Sequence, residues 1–333
     1  MQVITIDTGT TNTRVKLWNG QTLIAEGFSP VGVRDTAVTG STAALTAGVR
    51  DAFVQALSAG GIREADVGLV LAAGMITSNM GLRELPHIAA PAGLAELAAG
   101  MTSSVLPAVT THPIWFVPGV KTFSGKVTLD NCDKADMMRG EEVEAFGLAG
   151  QVGLSGPAVI ILPGSHTKFV QLDEHNCITG SVTSIAGELL SAITHNTLIA
   201  NAVSKSFAQA LEPEPFIAGA KYAQRVGLSR ASFQVRLLDL FAELSTNQKA
   251  NFLLGAVLTQ DLAALDNSEA LNISASMPLV VGGTSLIAQG LALLLQSTGR
   301  QVRLISDETM RLASGLGCIQ VAAARGLIRP NSD

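Results

Sequence analysis

The sequence predicts an α/β protein with two domains, each containing a mixed sheet flanked by helices. Three observations support this prediction. The chain has 333 residues, which is long for a single hydrophobic core. Short apolar runs typical of buried strands alternate with segments of helical periodicity. The order of hairpin, helices, strand and helix also occurs twice, so we expect domains at 1–148 and 149–333 with a boundary near 148–156.

The first half opens with a predicted β-hairpin over residues 3–18, VITIDTGTTNTRVKLW. An apolar run ends at Asp7, and a turn of small and hydroxyl residues follows it. The chain then alternates, with Val15 and Leu17 on one face and charged side chains on the other. The elements predicted after the hairpin are a helix over 41–59, a buried strand over 67–73, a loop over 74–91, a strand over 114–117 and a helix over 137–148.

The second half follows a Gly- and Ser-rich break at residues 150–157. An apolar strand over 158–162, a short turn and a strand over 169–172 predict a second hairpin. Residues 188–265 have helical periodicity and few strand signals. The last predicted elements are a strand over 278–281, a helix that ends at residue 295, a strand over 302–305 and a helix over 313–325.

Composition and charge exclude several classes of protein. Hydrophobic residues make up 47% of the chain and charged residues 15%, which argues against disorder. A net charge of −5 and the absence of a Lys/Arg run argue against a nucleic-acid partner. The most apolar run, 279–295, is interrupted by glycine and polar residues, so we expect no membrane span. Three widely spaced cysteines and no signal-peptide pattern indicate packed, reduced thiols in a cytoplasmic protein.

Three turns rich in hydrogen-bond donors carry the functional signal, at residues 7–13, 164–168 and 282–285. Backbone N–H and hydroxyl groups in such turns can bind phosphate oxygens, and a carboxylate such as Asp7 can hold Mg²⁺. Any one of these turns, taken alone, fits an ordinary hairpin as well as it fits a phosphate-binding turn. Their order and spacing fit duplicated halves that bind a polyphosphate from opposite sides, with the Gly-Gly turn near a nucleotide base and sugar.

Residues 136–144, DMMRGEEVE, form the densest charge cluster near the expected domain boundary. One interpretation is a solvated helix N-terminus, where carboxylates are favoured by the helix dipole. The other is functional: Arg139 pairs with an anion, and one carboxylate serves as a catalytic base. The spacing does not distinguish between Asp136, Glu141 and Glu142 for that base.

Common nucleotide and hydrolase motifs are absent. Residues 119–127, GVKTFSGKV, resemble a Walker A loop, but one extra residue separates the glycines and Val127 replaces the Mg²⁺-binding Ser or Thr. No GxGxxG motif opens a helix after a strand, and neither HExxH nor GxSxG occurs.

Together these segments resemble the superfamily of sugar kinases, hexokinases, actin and heat-shock ATPases. Residues 3–18 are similar to its first phosphate motif, 159–172 to its second, and 279–295 to its adenosine motif, while 139–147 and 313–324 are similar to its connecting helices. The resemblance implies two ribonuclease-H-like domains in an actin-like ATPase architecture with a central cleft.

Four further runs resemble the 2-dehydro-3-deoxygalactonokinase family within this superfamily. They are 74–86 (GMITSNMGLRELP), 117–120 (VPGV), 136–142 (DMMRGEE) and 162–168 (LPGSHTK). The resemblance implies transfer of the ATP γ-phosphate to the 6-hydroxyl of 2-dehydro-3-deoxy-D-galactonate, in D-galactonate catabolism. It also implies ATP and Mg²⁺ as cofactors and is compatible with a homodimer.

The resemblance assigns the phosphate and nucleotide contacts to the three turns. Asp7 would hold Mg²⁺ and act in catalysis. The γ-phosphate would be surrounded by Gly9, Thr10, Thr11 and Asn12. The phosphates would be held from the second domain by Gly164, Ser165, Thr167 and Lys168. The adenosine would be contacted by Gly282, Gly283 and Thr284.

The acceptor would lie near the loop 74–91 and the charge cluster. Its carboxylate calls for a cation, for which Arg14 and Arg139 are the candidates, and Ser78 and Asn79 could contact its oxygen atoms. Glu141 is the preferred base, with Glu142 and Asp136 as alternatives. The chain departs from the family pattern at Leu82, His87 and Glu144, where an aromatic residue, a tyrosine and a glutamine are expected.

Three other functions share the same sequence features. A related kinase could act on 2-dehydro-3-deoxygluconate or on a neutral hexose. An actin-like or chaperone ATPase would use nucleotide as a conformational switch, and a phosphohydrolase of the same fold would release phosphate without an acceptor sugar. Only the kinases would make ADP release depend on an acceptor.

Overall fold

The computed structural model describes residues 1–328 of the chain. Its contacts divide the chain into two compact units. Of the described residues, the first unit comprises Met1–Gly156, Asp173–Thr179 and 308–328, and the second comprises Pro157–Leu172 and Gly180–Asp307.

The division into 1–148 and 149–333 stays a prediction, and the contact units differ from it in three places, one of which is the grouping of Asp173–Thr179 with the first unit. The helix Glu141–Val152 continues through residue 148, and the C-terminal helix is grouped with the first unit.

The first unit contains a six-stranded mixed sheet in the order β3-β2-β1-β4-β7-β6 and a small three-stranded sheet in the order β5-β8-β9. β1 pairs with β2 antiparallel and with β4 parallel, so both hairpin and crossover connections contribute to the large sheet. The strands are β1 Gln2–Thr8, β2 Thr13–Asn19, β3 Thr22–Ser29, β4 Val67–Gly74, β5 Ile88–Ala89, β6 Thr102–Leu106, β7 Thr110–Phe116, β8 Val120–Lys121 and β9 Met137–Met138.

Alternating apolar residues position the first hairpin in the core. Ile4 and Ile6 of β1 and Val15 and Leu17 of β2 are buried, and they pack in one cluster with Phe53. The helices of this unit are α1 Val33–Thr39, α2 Ala43–Gly60, α3 Leu94–Gly100 and α4 Glu141–Val152. The predicted hairpin is therefore confirmed in both its strands and its inward face.

The second unit has a five-stranded sheet in the order β12-β11-β10-β13-β14. β10 and β11 form the second predicted hairpin, and β13 lies parallel to both β10 and β14. The strands are β10 Ala158–Leu162, β11 Thr167–Leu172, β12 Ile178–Ser184, β13 Leu279–Val281 and β14 Val302–Leu304. The helices of this unit are α5 Ala186–Asn196, α6 Pro213–Val226, α7 Leu228–Phe241, α8 Thr246–Asn267 and α9 Leu286–Ser297. The C-terminal helix, α10 Asp307–Ala324, is grouped with the first unit except for its first residue.

The expected α/β class is confirmed, but the starts of two predicted helices and the packing of one cysteine are wrong. The helix expected over 313–325 begins at Asp307. The helix expected over 137–148 begins at Glu141, because Gly140 has φ +109° and the residues before it form β9. Cys132 is exposed rather than packed, whereas Cys318 is buried. Within residues 1–328, no helix combines the length and apolar character needed to cross a membrane.

Candidate active site

The turn between β1 and β2 is held in shape by the first residues of α1. Within the turn, the Gly9 amide donates to the Asn12 carbonyl oxygen at 2.9 Å. The Arg34 amide donates to the Thr10 carbonyl oxygen at 2.9 Å. Thr10 and Thr11 remain exposed on this supported turn. The predicted phosphate-binding residues 9–12 therefore form a fixed, solvent-facing loop directly after Asp7.

Asp7 borders a charged cavity of about 470 Å³ in the first unit. Arg14, Lys16, Glu26 and Glu144 are also in the lining. Lys16 is only 5% exposed, and its Nζ lies 3.9 Å from Glu26 Oε1. The alternation of apolar and charged residues in β2 predicts Lys16 on the polar face of the hairpin. In the structure, the Lys16 side chain on this face is largely buried.

The ionised form of two carboxyl groups in this cavity is disfavoured. Burial raises the pKa of Asp7, against the opposing effects of Lys16, Arg14 and a hydrogen bond with Ser314. Burial, followed by the charges of Asp7 and Glu141, raises the pKa of Glu144 to about 8. Because like charges and burial both favour the neutral form, a bound cation would favour ionisation of both groups.

Two glycines place the start of α4 beside Asp7. Gly74 ends β4 with φ +86°, and a Cβ there would lie 2.6 Å from the Thr8 carbonyl oxygen and 3.0 Å from Asp7 Oδ1. A Cβ at Gly140 would lie 3.2 Å from the Gly74 Cα atom. Both positions require a positive φ and leave no room for a side chain. Asp7, the loop after β4 and the charge cluster before α4 are consequently neighbours.

Arg139 ties the loop 74–91 to the start of α4. Its Nη1 donates to Thr77 Oγ1 at 2.8 Å and its Nη2 donates to the Leu85 carbonyl oxygen at 2.6 Å. Nη2 also lies 3.4 Å from His87 Nδ1. Burial and the charge of Arg139 lower the pKa of His87 to about 4. The predicted role of Arg139 in binding the acceptor carboxylate stays a prediction.

The carboxylates proposed as a base differ in their surroundings. Glu141 is half-buried, and its Oε2 accepts a hydrogen bond from the Arg139 amide at 3.0 Å. Glu142 is fully buried and accepts from the Gly140 amide with both oxygens, at 2.9 and 2.8 Å. Burial and the charge of Glu141 raise the pKa of Glu142 to about 8. Asp136 Oδ1 accepts from the Met137 amide at 2.8 Å. Glu141 is thus the more accessible of the two adjacent glutamates.

The raised pKa values of Glu142 and Glu144 predict how stability depends on pH. Between the ordinary value of 4.5 and about 8, the folded protein keeps protons that the unfolded chain releases. The free energy of unfolding therefore falls as pH rises, by up to about 1.4 kcal/mol per pH unit for each proton. His87, whose pKa is lowered, has the opposite effect below pH 6.5. We expect the fall to be clearest between pH 6.5 and 8.

Urea unfolding at several pH values measures this effect. Glu142→Gln should flatten the decline between pH 6.5 and 8, because the amide does not titrate. Glu174→Gln, at an exposed glutamate, serves as the control and should keep the wild-type slope. Equal slopes for wild type and Glu142→Gln would contradict the expectation.

The two predicted oxygen-binding residues of the loop 74–91 lie in different environments. Ser78 is buried, and its hydroxyl donates to the Met75 carbonyl oxygen at 2.7 Å. Asn79 is exposed. Ser78 thus stabilises the turn that follows β4, while the Asn79 side chain is accessible to a ligand.

In the second unit, two predicted turns lie at the same edge of the sheet. The turn after β10 and the turn after β13 follow the carboxyl ends of neighbouring parallel strands. The Glu188 amide at the start of α5 donates to the Ser165 carbonyl oxygen at 3.0 Å. Thr167 and Lys168 are buried, and Lys168 Nζ donates to Thr183 Oγ1. Gly164 and Ser165 are therefore the surface part of the predicted phosphate turn.

The Gly282–Ser285 turn is fixed by Asp307. The Thr284 amide donates to Asp307 Oδ1 at 2.8 Å, and the Thr284 hydroxyl donates to Asp307 Oδ2. Both hydrogen bonds lower the pKa of Asp307. Ser285 caps α9 by accepting from the Ala288 amide at 3.2 Å.

A mostly apolar cavity of about 270 Å³ lies beside this turn. Its lining includes Ser285 and Leu286 at the start of α9 and Gly187 of α5, together with Leu190, Phe207 and Leu254. These helices belong to the second unit, so a single unit forms the whole cavity.

Sequence reasoning missed Lys16 and Asp307 as members of these clusters, and it included Glu144 in the charge cluster 136–144 without assigning it a role. Glu144 follows Glu141 by one helical turn, a spacing that places both on one face of α4, so a signal was present. Asp307 lies 23 residues after Thr284, and only the parallel pairing of β13 with β14 brings them together.

A family model described as 2-keto-3-deoxy-galactonokinase matches residues 7–318, which is nearly the whole chain. The chain belongs to this family. The match begins at Asp7 and ends within α10, so it includes the turn and second strand of the first hairpin, the whole second hairpin and the charge cluster.

Two relatives of the family support the membership. The 2-dehydro-3-deoxygalactonokinase of Escherichia coli strain K12 is 28% identical over 288 residues, covering 86% of this chain and 87% of that protein. A Rhizobium meliloti strain 1021 protein, provisionally named 2-dehydro-3-deoxygalactonokinase, is 30% identical over 339 residues, covering 97% and 96%.

Solved structures confirm the fold. A Sinorhizobium meliloti protein provisionally described as a 2-dehydro-3-deoxygalactonokinase superposes with a TM-score of 0.76 at 24% identity, covering 97% of this chain and 98% of that one. An activator of 2-hydroxyisocaproyl-CoA dehydratase from Clostridium difficile, solved with bound ADPNP, has a TM-score of 0.51 at 11% identity with complete coverage of both chains. The predicted sugar-kinase and actin-like ATPase fold is therefore confirmed.

Proposed function

We propose that the chain transfers the γ-phosphate of ATP to the 6-hydroxyl of 2-dehydro-3-deoxy-D-galactonate, as a step of D-galactonate catabolism. The observation that carries the proposal is the family match over residues 7–318. Phosphoryl transfer needs positioning and charge stabilisation more than a protein nucleophile, and the site residues are of that kind.

The first turn supports phosphate binding by its shape and its exposure. Gly9, Thr10, Thr11 and Asn12 form a loop supported by hydrogen bonds from the amides of Val33 and Arg34, so it needs little ordering when a ligand binds. We assign these residues to the γ-phosphate. Gly164, Ser165, Thr167 and Lys168 are our candidates for the other phosphate contacts.

Asp7 is our candidate Mg²⁺ ligand. Mg²⁺ binds through one or two carboxylates and keeps waters and substrate phosphates as its other ligands. Asp7, with Glu144 as its carboxylate neighbour, fits that donor set. Within the described range, no group of three or more His, Cys, Asp or Glu side chains is suited to hold a metal ion through protein ligands alone. When bound, the ion would neutralise charge on the transferring phosphate.

The adenosine would occupy the apolar cavity at the start of α9. Gly282, Gly283 and Thr284 lead into that helix, and Phe207 and Leu190 supply apolar surface for a base. The Asp307 hydrogen bonds hold Thr284 in place before any ligand binds. A fixed turn next to a preformed apolar cavity suits a nucleoside.

For the acceptor, we assign the carboxylate to Arg14 and Arg139 and the oxygen contacts to Ser78 and Asn79. Glu141 is the proposed base that takes the proton from the 6-hydroxyl, with Glu142 and Asp136 as alternatives. A cytoplasmic location and a homodimer stay predictions.

An ADP-release assay with a panel of acceptors tests the function. We expect ADP release that depends on 2-dehydro-3-deoxygalactonate, with slower turnover for 2-dehydro-3-deoxygluconate and for neutral hexoses. Faster turnover with one of these sugars would move the assignment to the related kinase. Equal ADP release without any acceptor would overturn the kinase proposal in favour of an ATPase switch or a phosphohydrolase.

A further inference from the structure

A buried aspartate on α8 has no role in the proposed reaction. Asp261 is 0% exposed, and its Oδ2 atom has no hydrogen-bond partner among residues 1–328. Burial raises the pKa of Asp261, and the neighbouring hydroxyl groups of Ser184 and Thr167 oppose that effect. A buried carboxyl group with incomplete hydrogen bonding costs stability, and an apolar residue would avoid that cost. Because the carboxyl group carries this cost, its contacts indicate which part of the structure it serves.

Asp261 is connected to the start of α5 through one hydroxyl group. Ser184, the last residue of β12, hydrogen-bonds through its Oγ to Asp261 Oδ1. The same Oγ accepts a hydrogen bond from the amide of Ala186, the first residue of α5, at 3.3 Å. Asp261 thus fixes the hydroxyl that accepts from the first amide of this helix.

The start of α5 in turn packs directly on the turn after β10. The Glu188 amide donates to the Ser165 carbonyl oxygen. A Cβ at Gly187 would lie 2.2 Å from the Gly164 carbonyl oxygen and 2.8 Å from the Ser165 Cα atom. With backbone in contact on both sides, a shift of the first turn of α5 would shift Gly164 and Ser165 as well.

We propose that Asp261 is a positioning residue for nucleotide binding, which holds the Gly164–Ser165 turn in place through Ser184 and the first turn of α5. The proposal rests on the assignment of this turn to the ATP phosphates. It predicts an effect on ATP that is separate from any effect on the acceptor, because every contact of the chain from Asp261 to Ser165 lies in the second unit.

The test compares two buried truncations on the same helix. Asp261→Ala should weaken ATP binding by about tenfold or more in equilibrium dialysis, the size expected for loss of a hydrogen bond to a charged group. The KM for the acceptor should stay within about twofold of wild type. Thr259→Ala is the matched control, since Thr259 is buried on α8 and its hydroxyl has no partner. It should leave ATP binding unchanged.

Two further variants distinguish positioning from general destabilisation. Asp261→Asn keeps a polar group that can hydrogen-bond to Ser184, so it should restore most of the ATP affinity. Ser184→Ala breaks the same connection at its other end and should weaken ATP binding even if Asp261→Ala does not fold.

Three results would overturn the proposal. They are equal losses of ATP affinity in Asp261→Ala and Thr259→Ala, a parallel rise in the acceptor KM, or wild-type ATP affinity in Ser184→Ala. The proposed function fails separately, if the wild-type protein binds ATP but phosphorylates none of the sugar acids. Dialysis needs no acceptor, so it still tests Asp261 in that case.

Discussion

Asp7→Asn should lower kcat by about 10³-fold while the protein stays folded. The substitution keeps the shape of the side chain and removes the negative charge at the end of β1, where the proposed Mg²⁺ ligand lies. Losses of this size are typical when one preorganised electrostatic contact is removed from a transition state. Steady-state ADP release at saturating ATP, acceptor and Mg²⁺ measures the effect.

Thermal unfolding separates this loss from misfolding. Burial raises the pKa of Asp7, so the buried carboxylate costs stability at neutral pH, and that cost offsets its attraction to Lys16. We expect the Tm of Asp7→Asn to remain close to that of wild type. Asp66→Asn, at an exposed aspartate, is the control and should leave kcat unchanged. Near-normal turnover of Asp7→Asn would exclude the metal role.

Glu141→Gln should lower kcat by about 10²-fold or more, because the amide cannot accept the proton of the 6-hydroxyl. The KM values for ATP and acceptor should change much less, since the glutamine keeps the volume and most hydrogen bonds of the glutamate. Single-turnover kinetics at several pH values would separate the chemical step from product release.

Variants of the neighbouring carboxylates provide the comparison. Glu142 is fully buried and already bound by the Gly140 amide, so Glu142→Gln should affect kcat less than Glu141→Gln. Asp136→Asn should likewise lower kcat less than Glu141→Gln does. A mild loss for Glu141→Gln together with a severe loss for either alternative would reassign the base. Glu144→Gln is a useful fourth variant, because Glu144 shares a cavity with Asp7.

Local patterns were sufficient to predict both hairpins. The apolar run before Asp7 and the alternation after the turn became β1 and β2, and residues 158–162 match β10. Each of these signals lies within a few residues of its strand partner, so short-range periodicity carries the information. The helical character predicted for residues 188–265 is also confirmed, since α6, α7 and α8 begin within this range and most of α5 lies in it.

Features that depend on long-range pairing could not be predicted in the same way. β5, β8 and β9 have two residues each, too few for a periodic pattern, and they pair over long sequence separations. Lys16 looks like an exposed residue in β2, and only the packed surroundings of that cavity show that it is buried. The contact between Asp261 and Ser184 likewise joins residues 77 positions apart.

The close approach of Gly74 and Gly140 also bears on how this family can diversify. Backbone meets backbone there, so the loop after β4 and the helix that carries the glutamates cannot be moved independently of each other or of Asp7. With the loop assigned to the acceptor as proposed, we expect new acceptor preferences to arise more readily through exchange of side chains at its exposed positions, such as Asn79, than through insertions near Gly74. Mutational libraries that keep both glycines should preserve the contact between this loop and the start of α4 while they vary the proposed acceptor contacts.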